Sequence, residues 1–181
     1  MYVVPSVENL LVWDGVFFVH QGYYADAILK FRIIFPSNYP EKQPSVQFVT
    51  DVFHPMVASQ TGAFNVAPRF RPWRPKEHHV FDVLHYIKAA FKKQALDEFK
   101  ESDCVNKEAY QYHTQTSSFS ALATQSSALS KSASALFDSD HPSMTEKVSE
   151  GINFKELTKG QLQKARARMG LKEWAEESKT V

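Results

Sequence analysis

Few side chains in this sequence could perform covalent chemistry. The chain has 181 residues and one cysteine, Cys104, in the run Glu101-Ser102-Asp103-Cys104. A cysteine attacks as the thiolate, and carboxylates at positions 101 and 103 would raise its pKa and keep it protonated. We therefore expect Cys104 to be an inert thiol. A single cysteine also excludes an intrachain disulfide and fits a reducing compartment such as the cytoplasm.

The seven histidines do not form a recognisable metal-binding pattern. His78, His79 and His85 cluster in sequence, but adjacent histidines point apart on a helix or strand, and no zinc-like Cys or His spacing lies nearby. The six glycines form no phosphate-binding loop. We predict neither a metal nor a cofactor.

The composition predicts a globular protein without a broad electrostatic surface. The net charge is +1, which makes no general case for nucleic acid, and the apolar runs are too short for direct membrane insertion. Hydrophobic residues make up 43% of the chain and include 14 phenylalanines, which is enough for an aromatic core.

The first half of the chain predicts an antiparallel meander of four strands. Residues 10–13 and 16–19 are rich in β-branched and aromatic side chains, with Asp14-Gly15 as the turn between them. Residues 30–35 and 46–49 form the third and fourth strands. The regular spacing and tight turns favour an α+β fold in which this sheet packs on helices.

Two helical regions follow. The first carries an apolar stripe at helical spacing, composed of Val80, Val83, Leu84, Ile87 and Phe91. The second runs from about residue 106 to 136, where Leu122, Leu129 and Leu136 stand seven residues apart. This heptad-like face either packs on its own domain or binds a partner helix, and the sequence leaves both interpretations open.

The last part of the chain predicts a linker and a helical tail. Residues 1–137 form the domain, residues 138–153 a polar linker and residues 154–181 the tail. Thr158 and Gln161 have the spacing of a capping box, and Gly170 is a helix stop. Leu162, Ala165 and Met169 form a narrow stripe on this helix. Trp174 is expected to dock on the domain or on a partner protein.

Three motifs occur in a specific order: Tyr39-Pro40, then His54-Pro55-Met56, then Trp73-Arg74-Pro75. This arrangement resembles the active-site segment of ubiquitin-conjugating enzymes over roughly residues 11–92. In that family a His-Pro-Asn turn precedes the catalytic cysteine, and a tryptophan follows the cysteine by about eight residues. Because Trp73 comes eight residues after Asn65, Asn65 stands at the catalytic position. Met56 stands at the position of the family's oxyanion-stabilising Asn.

The resemblance implies a ubiquitin-conjugating-enzyme (UBC-like) fold with its chemistry removed. An asparagine cannot form a thioester, and a methionine offers no amide donor to an oxyanion. Tyr39, Pro40, His54, Pro55 and Trp73 then have structural roles, with Trp73 expected beside the His-Pro turn. Only about nine residues precede the first predicted strand, so we expect no counterpart of the family's first helix there, either because this sequence lacks it or because the domain does without it. A helical C-terminal extension is expected after the domain.

Within this family the chain resembles most the Akt-interacting protein (fused toes) and crossbronx group, through Tyr2-Val3-Val4-Pro5-Ser6, Asp51-Val52-Phe53-His54-Pro55 and Leu136-Phe137-Asp138. That resemblance implies a non-catalytic adaptor in a complex with Hook-type coiled-coil proteins, acting in endosome or vesicle trafficking along microtubules, and a contact with the kinase Akt. Leu122, Leu129, Leu136 and Trp174 are the candidate partner-binding residues. The alternative is a variant that assists an active ubiquitin-conjugating enzyme and orients ubiquitin during chain building.

Overall fold

Five strands form one antiparallel sheet, and their order in space is their order along the chain. The structure, a computed structural model, describes residues 1–137, 152 and 154–171. The strands are β1 (Tyr2–Pro5), β2 (Val12–Phe18), β3 (Ile28–Ile34), β4 (Ser45–Phe48) and β5 (Ala63–Phe64). The predicted α+β class and antiparallel meander are confirmed, but the number of strands is five rather than four.

Residues 10–13 and 16–19 were predicted as two strands joined by an Asp14-Gly15 turn, which is wrong because both residues lie inside β2. Asp14 accepts a hydrogen bond from Arg32 on β3, with Nε and Oδ1 2.9 Å apart. Gly15 pairs with Phe31, and a Cβ at Gly15 would lie 2.4 Å from Phe31 Cζ. The glycine therefore leaves room for an aromatic ring over the strand.

The first and last strands of the sheet were not predicted. β1 is an edge strand that pairs with β2 from Tyr2 opposite Val16 to Pro5 opposite Trp13. β5 has two residues and pairs with β4 through Phe64 opposite Val46. A two-residue run carries no alternation that separates a strand from a loop, so only its pairing defines β5.

Seven α-helices lie in the described part of the chain: α1 (Ala67–Phe70), α2 (Val80–Ala90), α3 (Lys93–Glu98), α4 (Lys107–His113), α5 (Thr116–Leu129), α6 (Ala133–Phe137) and α7 (Lys159–Arg168). The predicted stripe of α2 is confirmed. Val83 and Ile87 have no exposed surface, and they share one core with Leu29, Phe31 and Ile33 of β3. This core holds the segments between β4 and α2 in place.

The second helical region is not one continuous helix. It is divided into α4, α5 and α6, so the heptad through Leu136 does not lie on a single helix. Ser130 ends α5, because its hydroxyl donates to Ser127 O (2.7 Å) and accepts from Ile28 N (3.0 Å). Ser132 then accepts from Ala135 N at 3.2 Å and starts α6.

The outer face of the sheet is partly covered by the C-terminal elements. Lys30 Nζ donates to Ala135 O (2.9 Å) and Leu136 O (2.7 Å) at the end of α6. The ring of Phe154 lies 5.5 Å from the same Lys30 Nζ and 6.4 Å from the ring of Phe18. The last described segment is therefore anchored on β2 and β3.

The predicted start and stop of the tail helix are confirmed. Thr158 and Gln161 form the capping box of α7, and Gly170 ends it with a φ of +68°. The predicted linker, apart from Ile152, and the tail beyond Leu171, including Trp174, lie outside the described residues. Among the described helices, none has the length and hydrophobicity needed to cross a membrane.

Candidate functional site

The His54-Pro55-Met56 turn is organised by the imidazole of His54. His54 Nδ1 accepts a hydrogen bond from Met56 N (3.0 Å), and Nε2 lies 3.1 Å from Ala90 O. Nδ1 therefore carries the lone pair and Nε2 the proton. Burial lowers the pKa of His54 to about 4, with the charge of His113 acting in the same direction and the hydrogen bond to Ala90 opposing it. His54 is therefore a neutral, fixed group, and its Nδ1 lone pair is occupied by the hydrogen bond from Met56 N.

Asn65 lies directly beside this turn, as the motif spacing requires. Its backbone N donates to Met56 O at 2.9 Å. Its side-chain Nδ2 donates to Asp103 O (2.8 Å), and its Oδ1 accepts from Ala67 N (3.1 Å). The amide thus joins the start of α1 to the loop that precedes α4. Nδ2 and Oδ1 of Asn65 are therefore both occupied by hydrogen bonds to the backbone, at Asp103 and Ala67.

Met56 and Cys104 are both core residues in this neighbourhood. Met56 has no exposed surface and Cys104 has 3%. The Sγ of Cys104 donates to Lys100 O at 3.3 Å. Burial raises the pKa of the Cys104 thiol to about 11; Lys107 opposes this rise, and the carboxylates of Asp103 and Glu101 add to it. The predicted direction is confirmed, although burial outweighs the two carboxylates. At pH 7 roughly one molecule in ten thousand carries the thiolate.

The motif tryptophan is tied to the Tyr39-Pro40 turn. Trp73 Nε1 donates to Pro40 O at 2.7 Å, and the indole ring contacts Tyr39 and Phe70. We expected Trp73 beside the His54-Pro55 turn, but these contacts connect it to the loop between β3 and β4. Trp73 therefore fixes that loop against the segment that follows α1.

The three clustered histidines each have a local structural contact. His78 Nδ1 accepts from Arg74 N at 3.0 Å, His79 caps the start of α2, and His85 Nδ1 lies 2.9 Å from Phe81 O. Across the described residues, no group of three or more His, Cys, Asp or Glu side chains is arranged to hold a metal ion.

Sequence reasoning missed the backbone between residues 103 and 106 as part of this site. Asp103 O receives the amide of Asn65, and Asn106 N donates to Pro55 O at 3.0 Å. The side chain of Asn106 also caps α4 by accepting from Ala109 N at 3.0 Å. Only the role of Asn106 as the N-cap of α4 could have been predicted from sequence. The contacts of Asn65 with Asp103 and of Pro55 with Asn106 join residues about 40–50 positions apart.

A surface groove of about 290 Å³ lies between α5 and the segment that precedes the His-Pro turn. Leu122, Leu129, Phe53 and Val52 give it an apolar floor, and Asp51 and Gln125 add polar groups. Leu129 is 59% exposed. Two of the three predicted partner-binding leucines therefore line one groove, whereas Leu136 belongs to α6 and is not among the lining residues.

The comparisons with known proteins agree with this geometry. The family model for the ubiquitin-conjugating enzyme matches residues 1–148. An E2 domain of a ubiquitin conjugating enzyme from Toxoplasma gondii has the same fold, with a TM-score of 0.59, 22% identity, and coverage of 70% of this chain and 84% of that one. The chain belongs to the ubiquitin-conjugating enzyme family.

Its place within the family follows from two curated relatives. Crossbronx of Drosophila virilis is 34% identical over 139 residues, which cover 73% of this chain and 56% of that protein. The AKT-interacting protein of Danio rerio is 40% identical over 94 residues, or 51% of this chain and 32% of that protein. This chain is a member of the crossbronx and AKT-interacting protein (fused toes) group, and it spans about half or less of the length of these relatives.

Proposed function

We propose that this protein is a non-catalytic adaptor built on the ubiquitin-conjugating-enzyme fold. One observation carries the proposal: the only thiol of the chain is buried and protonated, while the residue beside the His-Pro turn is an asparagine. Asn65 has no ionisable group and both its polar side-chain atoms are engaged with backbone. Thioester formation needs an accessible thiolate, so a protein-binding role is the function that this fold retains.

The first test is a thioester assay. The protein is incubated with ubiquitin-activating enzyme, ubiquitin and ATP, and the products are separated with and without reductant beside an active conjugating enzyme. We expect no reductant-sensitive adduct at pH 7–8, because the Cys104 thiolate is scarce and inaccessible. An adduct that disappears in Cys104→Ser would overturn the non-catalytic proposal.

The partner class comes from the family resemblance. We propose that the chain joins a complex with Hook-type coiled-coil proteins and acts in the cytoplasm, at endosomes or vesicles through those partners. A contact with AKT is a second proposal, supported by the name of one relative. The groove between α5 and Phe53 suits an amphipathic partner helix, because it offers exposed leucine on a rigid element beside polar groups.

Affinity capture from the protein's own cells tests the partner and the groove together. Leu129→Glu should lower the recovery of a coiled-coil partner at least tenfold. The reason is that a charge placed in an apolar contact costs about 2 kcal/mol or more of binding free energy. Phe81→Glu is the matched control, since Phe81 is 62% exposed on α2. Equal losses in both variants would reject the groove. Capture of an active ubiquitin-conjugating enzyme without a Hook-type protein would instead favour a role in ubiquitin chain building.

A further inference from the structure

The net charge of the chain conceals a strongly basic segment at its described end. Residues 154–171 contain five cations and one carboxylate, a local charge of +4, although the whole chain carries +1. The cations are Lys155, Lys159, Lys164, Arg166 and Arg168. Glu156 is the only acid in this stretch, so this segment is a local concentration of positive charge.

The same helix exposes apolar side chains. Leu162 and Ala165 of α7 and Met169 at its C-cap lie on one side, because they stand at i, i+3 and i+7. No residue of α7 is buried; Leu162 is 48% and Met169 65% exposed. Leu157 and Leu171, just outside the two ends, are 45% and 53% exposed. A narrow apolar stripe therefore faces solvent between cationic flanks.

The domain presents this helix from a fixed point. Phe154 packs edge-on against Phe18 at 6.4 Å and lies 5.5 Å from Lys30 Nζ, four residues before the N-cap Thr158. The capping box and the positive φ of Gly170 define both ends of the helix. The basic helix is thus preformed and does not have to fold on binding.

We propose that α7 adsorbs on the surface of an anionic lipid membrane. Positive charge spread along a helix suits a layer of acidic headgroups, which needs no shaped pocket. A protein interface is less well matched by α7 itself, which has no aromatic side chain to act as a buried anchor. Single-stranded nucleic acid would call for the same aromatic groups for base stacking. This inference is independent of the adaptor function proposed above.

Vesicle co-sedimentation of the whole chain tests the proposal. Phosphatidylcholine vesicles should bind none of it, whereas vesicles with roughly 30 mol% phosphatidylserine should bind it at about 0.1 M salt and release it at about 0.5 M salt, because exposed charges are screened. The double variant Lys164→Gln/Arg168→Gln should weaken this partition about 25-fold, or about fivefold for each cation removed. Leu162→Ser should weaken it further at constant charge.

The matched control removes two cations elsewhere. Arg71 and Lys76 are exposed on the segment after α1, and Arg71→Gln/Lys76→Gln should leave the partition within about twofold of the parent. Circular dichroism confirms that each variant is folded. Binding that does not depend on phosphatidylserine, or an equal loss in both double variants, would overturn the proposal. Neither result would change the outcome of the thioester assay, so the two proposals can fail separately.

Discussion

Acidification from pH 7 to pH 4 should cost this protein about 3 kcal/mol of unfolding free energy through His54 alone. The pKa of His54 is about 4 in the folded protein and about 6.5 in an unfolded chain. Between these values the unfolded state binds more protons, so stability rises with pH. The contribution is complete above about pH 6.5, falls through the window from 6.5 to 4, and is absent below both pKa values.

Denaturant unfolding across pH 4–7.5 measures this effect, and His54→Asn provides the comparison. The asparagine oxygen can replace Nδ1 as the acceptor for Met56 N, but it does not titrate. The variant should be less stable at pH 7, because it loses the contact with Ala90, and its stability should depend less on pH between 6.5 and 4. If the unfolding free energies of parent and variant change in parallel with pH, His54 is not the group that makes stability depend on pH.

Replacement of Gly62 by alanine should destabilise the domain by about 3 kcal/mol. Gly62 has a φ of +68°, and a Cβ there would lie 2.1 Å from the carbonyl oxygen of Phe48. The left-handed conformation costs an alanine about 1–2 kcal/mol, and the overlap adds about 1–3 kcal/mol because backbone of β4 must move. Phe48 N also donates to Gly62 O at 2.8 Å, so the shift strains the pairing beside the His-Pro turn.

Gly22→Ala separates these two costs. Gly22 also has a positive φ, +86°, but its Cβ would meet only Phe91 O at 3.6 Å, an ordinary contact. Urea unfolding of the two variants should show the smaller loss for Gly22→Ala, with the difference equal to the cost of the overlap. Equal losses would mean that the loop around Gly62 relaxes freely and does not hold the site.

Local patterns predicted the elements whose signals are themselves local. The stripe of α2 and the capping box of Thr158 and Gln161 depend on neighbours within one or two helical turns, so the sequence contains them whole. The order of the Tyr-Pro, His-Pro and Trp motifs was also sufficient to predict the fold and to bring Asn65 beside Met56.

The wrong predictions concern residues whose partners are distant in sequence. Asp14-Gly15 has the composition of a hairpin turn, but the glycine is needed for the ring of Phe31 on the next strand. The leucine spacing continues through Ser130, yet Ser130 ends the helix through a bond with Ile28, 102 residues earlier. The raised pKa of Cys104 was predicted, but its largest cause is burial, which no short sequence pattern reports.

The single buried cysteine also makes this protein convenient for spectroscopy. Maleimides and spin labels react with the thiolate, and Cys104 is 3% exposed with a pKa raised to about 11. A cysteine introduced at an exposed position would react far faster than Cys104, without any prior removal of the native thiol. Fluorophores or spin probes can therefore be attached at chosen surface sites, such as the groove and the basic helix, while the core stays unmodified.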